Sequence, residues 1–354
     1  MASTFEPVCR DGPERDWLDT SRFFESDKGR VETDVQGSDL VVIARRILVI
    51  GAAGFVGRHL MATLEAEHGP DAVFGAGKNG ARVSLDLLDG DALRRVLREI
   101  QPSHVVNLAG IAAPGEAASS QNAAWSLHLH AVLDLGRALL EHHPEAWLVQ
   151  VGSGLAYGRT ARHGRPLRET DTLEPLDIYG ASKAAGDLAI GTLLDQGLRV
   201  VRLRPFNHTG PGQSTDFAVP AFAQQIAQIE AGLRCGILSV GNLDSARDFL
   251  DVRDVADAYA AVIRRSDDLE SGSVFNVASG HPIVMRALLD ELLSMSAAII
   301  EVHPDPARQR PGELTTISGD ASALKTATGW APSIGLNRTL RDVLDAQRVL
   351  VGTR

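Results

Sequence analysis

Long apolar runs are missing from this 354-residue chain, and nowhere does one approach the stretch of about eighteen residues that a bilayer span needs. Cysteine is scarce: Cys9 and Cys235 are the only two, and the eleven histidines show no zinc-ligand spacing, so no metal is expected. Positive charge is in deficit. Against 45 Asp and Glu stand 35 Lys and Arg, a net charge of −10, which argues against nucleic acid or an anionic membrane surface as the main partner. A local basic pocket stays open. The first forty-six residues lack the basic start and apolar core of a signal peptide, and they show no sustained period. They are expected to be an appendage: a disordered tail, a stretch upstream of the functional start, or an arm docked by Trp17, Phe23 and Phe24. A cytoplasmic protein is the expectation. With 44% hydrophobic residues, the rest can bury a large core as one big domain or two coupled ones.

What is present begins with ILVI (Ile47 to Ile50), a short apolar run fit for a buried parallel strand. It leads into GAAGFVGRHLMATLEAE, a tight turn feeding an amphipathic helix. In this G-x-x-G-x-x-G spacing Gly51 permits the turn, Gly54 lets backbone approach a pyrophosphate, and Gly57 lets the helix pack on the strand. Phosphate would sit at the positive helix N-terminus. Beyond it the chain alternates apolar runs with helical patterns, the mark of βαβ units and a parallel sheet. Strands are expected near Ile47, Ala72, Arg82, His104, Trp147 and Leu198, with a helix from Trp125 to Leu140. After RPFNHTGPG the pattern turns irregular, with a helix at Phe217 to Ala231, short strands around Ile237, Phe249 and Val274, and helices near Val255, Met285 and Leu336.

Two further features carry chemistry. Tyr179 and Lys183 in DIYGASKAAGDLAI are four residues apart, so one helix turn places phenol and ammonium on one face, and a nearby cation is expected to pull the phenol's pKa down. AWLVQ is an apolar strand that runs to Ser153 in VGSGLAYG, and a strand-end serine in a parallel sheet lies at the ligand crevice.

With Asp86 in SLDLLD, VVNLAG (Val105 to Gly110), RPFNHTGPGQ, RDFLDVRDVADAY and RPGE, these motifs give a chain that resembles the extended short-chain dehydrogenase/reductase family, in its nucleotide-sugar-modifying branch. The resemblance runs from Ile47 nearly to the C-terminus. It implies an α/β fold: a Rossmann-type doubly wound parallel sheet with a smaller C-terminal α/β substrate-binding lobe. The expected division is 1–46 appendage, 47–205 cofactor domain and 206–354 lobe, with some elements returning to the first domain. Ser153, Tyr179 and Lys183 are implied as the catalytic trio, Tyr179 giving a proton to a reduced carbonyl, Ser153 holding the same oxygen and Lys183 holding the nicotinamide ribose. Phe55, Val56 and Arg58 join the three glycines at the cofactor, with Asp86 and Leu87 at its adenine and Leu108, Ala109 and Gly110 beside its ribose and phosphates.

NAD-selective folds place an acid at the end of the second strand, and DAVFGAGKNGA has none after Phe74, whereas Arg58 and Lys78 are nearby cations. NADP(H) is therefore favoured over NAD(H). For substrate the resemblance implies Ser153, Gly154, Leu155, Asn207, Val219, Phe222, Arg247, Arg310 and Glu313, around a GDP-linked 4-keto-6-deoxy sugar. Dehydratases of the family carry a glutamate where Leu155 stands, so dehydration is not expected, and an upstream GDP-mannose 4,6-dehydratase becomes the pathway partner. His208 reads as structural. A homodimer or tetramer is expected, from the helices holding Val132, Leu139, Leu140, Ala184, Leu188 and Leu193. Two alternatives remain open: a 4-epimerase or dehydrogenase with tightly held NAD, and an NADP-binding protein without catalysis.

Overall fold

The computed structural model describes residues 45–308 and 314–352. The appendage expected over 1–46 lies outside the described residues except for Arg45 and Arg46, as do Arg310 and Glu313. The early apolar runs form β1 (Ile47–Ile50), β2 (Val73–Gly77), β3 (Val83–Ser84), β4 (His104–Asn107), β5 (Trp147–Val151) and β6 (Arg199–Pro205). A seventh strand, Val274–Val277, pairs with β6, and the order across this parallel sheet is seventh, β6, β5, β4, β1, β2, β3. Helices cover both faces. On one side α1 (Phe55–His68) packs with the helix Val252–Arg264 and Trp330; on the other lie α2 (Gly90–Ile100) and the helices Ala131–His142 and Ile178–Gly191. Burial on both faces is why ILVI has no polar alternation: all four residues are buried. The strand order reverses between β1 and β4, which opens a crevice at their carboxyl ends, the place where such sheets take ligands.

Beyond Phe206 a smaller lobe is built on Ala246–Asp251, which pairs in parallel with Asn207–Thr209 and Thr316–Ile317 and antiparallel with Pro282–Val284. Ile237–Val240 pairs with Glu301–Pro304, and the helices Ala218–Glu230, Met285–Ser294 and Leu336–Gly352 close a core that holds Phe222, Ile226, Leu289 and Leu344. The chain crosses back twice, with Val252–Arg264 against α1 and Val274–Val277 in the large sheet, so the two parts share structural elements.

Two expectations change in detail. The helix expected from Trp125 begins at Gln121 and passes through a π-helical turn, Ser126–His130, before Ala131–His142. Of the apolar residues that suggested a partner surface, Val132, Leu139, Ala184 and Leu193 are buried by the chain itself, and Leu188 is left 59% exposed. Helical period counts apolar positions, but α2 and the sheet cover more than one face of these helices. Among the described residues no helix is long and apolar enough to cross a membrane.

Candidate active site

The turn after β1 is shaped by contacts that tolerate no side chain. Gly51 has φ +88°, and a Cβ there would meet the Leu108 and Ala109 backbone at 3.0 Å; one on Gly57 would lie 2.2 Å from the Gly51 carbonyl. The α1 N-cap is exposed Gly54, which offers no side-chain cap, so the first N–H groups of the helix face the crevice. That open positive end, with no Cβ in the way, fits a dinucleotide pyrophosphate. Across the crevice, buried Asn107 accepts from Ala109 N–H at 3.1 Å and donates to Gln150 at 2.9 Å, which fixes the turn Leu108–Ala109–Gly110.

The catalytic helix, Ile178–Gly191, starts where Asp177 accepts from Gly180 N–H at 2.7 Å. This sets Tyr179 in its first turn, 9% exposed, near enough to Ser153, just past the end of β5, for that hydroxyl to act on the phenol's pKa. Lys183 stands one turn on and donates to the Val151 carbonyl at 3.3 Å. The structure thus brings together the three residues that sequence placed in one site. It corrects one detail: the Tyr179 phenol is pushed up, by burial first, although the Ser153 hydrogen bond pulls it down. Lys183 is itself lowered to about 8 by burial. At neutral pH this leaves a protonated phenol beside a charged lysine, the loaded form of a general acid.

Ser153 also accepts from Leu155 N–H at 3.1 Å and so caps the turn Gly154–Tyr157. Gly154 lies under the Phe206 ring, which a Cβ would meet at 3.0 Å. Leu155 packs between two apolar groups, one with Tyr157 and Phe206, the other with Ile111 and Tyr179. Tyr157 is fully buried and tied to Asn276 at 2.8 Å and Arg204 at 3.0 Å, with its phenol pushed up to about 12 by burial, so it is a structural group.

At the other end of the crevice, Arg58 donates to the Ala53 carbonyl at 2.7 Å and the Gly212 carbonyl at 3.1 Å. Lys78 forms an ion pair with Asp86 at 2.9 Å. Phe55 and Val56 are half-buried at the start of α1. Leu87, expected at the adenine, is 4% exposed, with its side chain in the core. In the lobe, Val219 and Phe222 are 2% and 5% exposed and packed in the apolar core. Arg247 donates to the Leu314 carbonyl at 3.0 Å, and Asn207 is half-buried on its strand. His208 hydrogen-bonds the Phe206 carbonyl at 2.9 Å and stacks on Phe55 with 6.1 Å between ring centres.

Residues 47–278 match the model of the NAD dependent epimerase/dehydratase family. The chain belongs to that family. It is 35% identical to a GDP-6-deoxy-D-mannose reductase of Pseudomonas aeruginosa over 85% of this chain and 97% of that protein. Its fold is similar to the structure of RMD from Pseudomonas aeruginosa complexed with NADPH, at TM-score 0.78 and 34% identity, covering 86% of this chain and 99% of the other. It is also similar to a Thermus thermophilus UDP-glucose 4-epimerase in complex with NAD, at TM-score 0.74 and 27% identity, covering 86% and 99%. The shared fold serves either nicotinamide cofactor, so the choice between them lies in local residues.

Within this member of the epimerase/dehydratase family, sequence reasoning missed Asn107, which fixes the turn beside the crevice. Asn107 sat inside the quoted VVNLAG, and a buried amide at a strand end was a usable signal.

Proposed function

We propose that this chain is an NADPH-dependent reductase acting on the C4 ketone of a GDP-linked 4-keto-6-deoxyhexose. The observation that carries this is the buried Tyr179, its phenol held protonated by burial, with Ser153 and Lys183 around it and an apolar Leu155 in place of a second acid. Tyr179 donates its proton to the C4 oxygen, and the Ser153 hydroxyl donates a hydrogen bond to the same atom, so negative charge never builds up uncompensated. Lys183 remains an ammonium, binds the ribose hydroxyls and favours the tyrosinate left after transfer. Bound NADPH supplies the hydride. Gly51, Gly54 and Gly57 would cradle its pyrophosphate, and Arg58 and Lys78 would meet its 2′-phosphate. Asn207, Arg247, Arg310 and Glu313 are proposed to hold the GDP portion; identity to the reductase relative supports that choice of nucleotide. Leu155 removes the carboxylate needed for proton exchange at C5, which sets reduction apart from 4,6-dehydration.

The test is incubation of the full-length protein with a panel of GDP-, dTDP- and UDP-linked 4-ketosugars and NADPH, with products assigned by NMR. Reduction of the GDP-linked 4-keto-6-deoxy sugar at the highest kcat/KM is expected. Turnover without added NADPH, by protein that purifies with NAD, would replace this reading with an internal epimerase. The same panel reports the configuration at C4.

A further inference from the structure

One guanidinium stands where several parts of the site meet. Arg204, on β6 and 4% exposed, donates from Nε and one terminal nitrogen to the two Asp187 oxygens at 2.9 and 3.0 Å, a fork on a carboxylate that is itself 3% exposed. Asp187 lies on the catalytic helix, one turn beyond Lys183. The other terminal nitrogen of Arg204 donates to the Tyr157 hydroxyl at 3.0 Å and to the Glu169 carbonyl at 3.1 Å. Tyr157 ends the turn that Ser153 caps, and its hydroxyl donates onward to Asn276 at 2.8 Å.

The strand end that carries Ser153 rests against the same ion pair. Gly152 N–H donates to the Leu203 carbonyl at 2.7 Å, and a Cβ on Gly152 would stand 3.5 Å from an Asp187 oxygen, so the carboxylate lies close to the backbone that presents Ser153. Asn276 is fixed in its turn. It donates to the Leu167 and Asp320 carbonyls at 2.9 and 3.2 Å, and its backbone N–H donates to the Glu169 carboxyl at 2.7 Å. A buried ion pair adds little net stability over well-packed apolar side chains, and its best-attested use is to fix register. Here the register is that of the strand end bearing Ser153 against the helix bearing Tyr179.

We propose that Arg204 is a positioning residue that fixes the separation of Ser153 from Tyr179, gripping the catalytic helix through Asp187 and the Ser153 turn through Tyr157. The inference rests on the roles given above to Ser153 and Tyr179. Arg204 and Tyr157 take no part in the chemistry themselves, because both are buried and their polar atoms are engaged by the chain. Two hydroxyls must reach one substrate oxygen, so an error in their separation lowers the rate of the chemical step and leaves cofactor binding alone.

A double-mutant cycle in the full chain separates positioning from folding. Tyr157→Phe keeps the ring and removes the grip on the turn, so kcat for whichever ketosugar the wild type reduces is expected to fall about tenfold, while the NADPH dissociation constant stays within about twofold. In a Ser153→Ala background the same change should lower kcat by less than about twofold, because the group being positioned is gone. Equal factors in the two backgrounds, or an unchanged kcat in folded Tyr157→Phe, overturn the proposal. If Tyr157→Phe does not fold, Arg204→Lys, which keeps the charge beside Asp187 and loses the fork, takes its place in the cycle with the same expectations. Hydrogen exchange read by peptide mass spectrometry needs no substrate. There the variant should quicken exchange across residues 153–157 and leave α2 unchanged, and unchanged exchange across 153–157 likewise overturns the proposal. Quickened exchange in a protein that reduces no ketosugar leaves this inference standing and removes the substrate assignment instead.

Discussion

The two ends of the crevice differ in how they use charge. At the tyrosine end, Tyr179 and His128 are buried, Lys183 is held against β5, and burial moves each of their titrations. At the phosphate end, Arg58 is exposed over much of its surface, although burial lowers its guanidinium too, and the Lys78 side chain is 65% exposed, with both cations already engaged by oxygens of the chain. Few groups in low dielectric each carry a large share of the work, whereas exposed charges are screened and shared. Substitutions at the first end should therefore cost orders of magnitude, and those at the second only modest factors.

The largest expected effect is Tyr179→Phe. It removes the transferable proton and keeps the ring, so kcat should fall by roughly 10²–10⁴-fold while the NADPH dissociation constant stays within about threefold. Turnover above about a tenth of wild type would sink the assignment of Tyr179 as the acid. Lys183→Met should instead raise the NADPH dissociation constant as well as lower kcat, because the ammonium serves both.

A second difference lies in acid stability. His104, bonded on both ring nitrogens to Ser103 and Ser266 at 2.9 Å, is lowered to about 4, and His128 to about 3, in both cases by burial first. Below about 6.5 the unfolded chain takes up protons that these folded rings refuse, so stability falls as pH drops from 6.5 toward 4. Each ring should contribute roughly 1.4 kcal/mol per pH unit in that window. Thermal midpoints from pH 7 to 4.5 check this: the fall should be visibly shallower in a folded His104→Gln variant, and an equal fall would place the acid sensitivity elsewhere.

Sequence showed the buried end well in its frame and poorly in its support. ILVI, the glycine spacing and Tyr179 with Lys183 were legible because parallel strands with both faces covered read as apolar runs and because a helix brings i and i+4 together. The lobe was legible only in outline, since strands as short as Thr316–Ile317 and Pro282–Val284 are set by partners distant in sequence. The burial of His128 was hidden for a physical reason: it is set by a π-helical turn and by glycines at 110 and 186, none of which leaves a periodic trace. Val219, Phe222 and Leu87 stand in motifs, and the structure places their side chains in the core.

Cofactor preference tests the exposed end. Arg58 has two backbone carbonyls as partners, and guanidinium donors remain for a 2′-phosphate. Arg58→Ala should narrow the NADPH to NADH ratio of kcat/KM by about tenfold, the low end for a charge-assisted hydrogen bond at an exposed site. A wild-type enzyme that prefers NADH would show that the absent acid after Phe74 was misread.

The smallest effect is expected at Lys78. Its ion pair with Asp86 at 2.9 Å is solvent-exposed, and such pairs are worth about 0–1 kcal/mol. The partner carboxyl is held below its ordinary range, first by the Lys78 hydrogen bond. A 2′-phosphate would have to share that ammonium with Asp86, so Lys78→Ala should weaken NADPH by less than about threefold, and the difference should vanish near 1 M salt, where the Debye length is about 3 Å. Asp86→Asn sharpens the contrast: freeing the ammonium while keeping side-chain shape should tighten NADPH relative to NADH at low salt. If Asp86→Asn instead weakens both cofactors equally, the carboxylate contacts the part they share, and Lys78 acts by orienting Asp86.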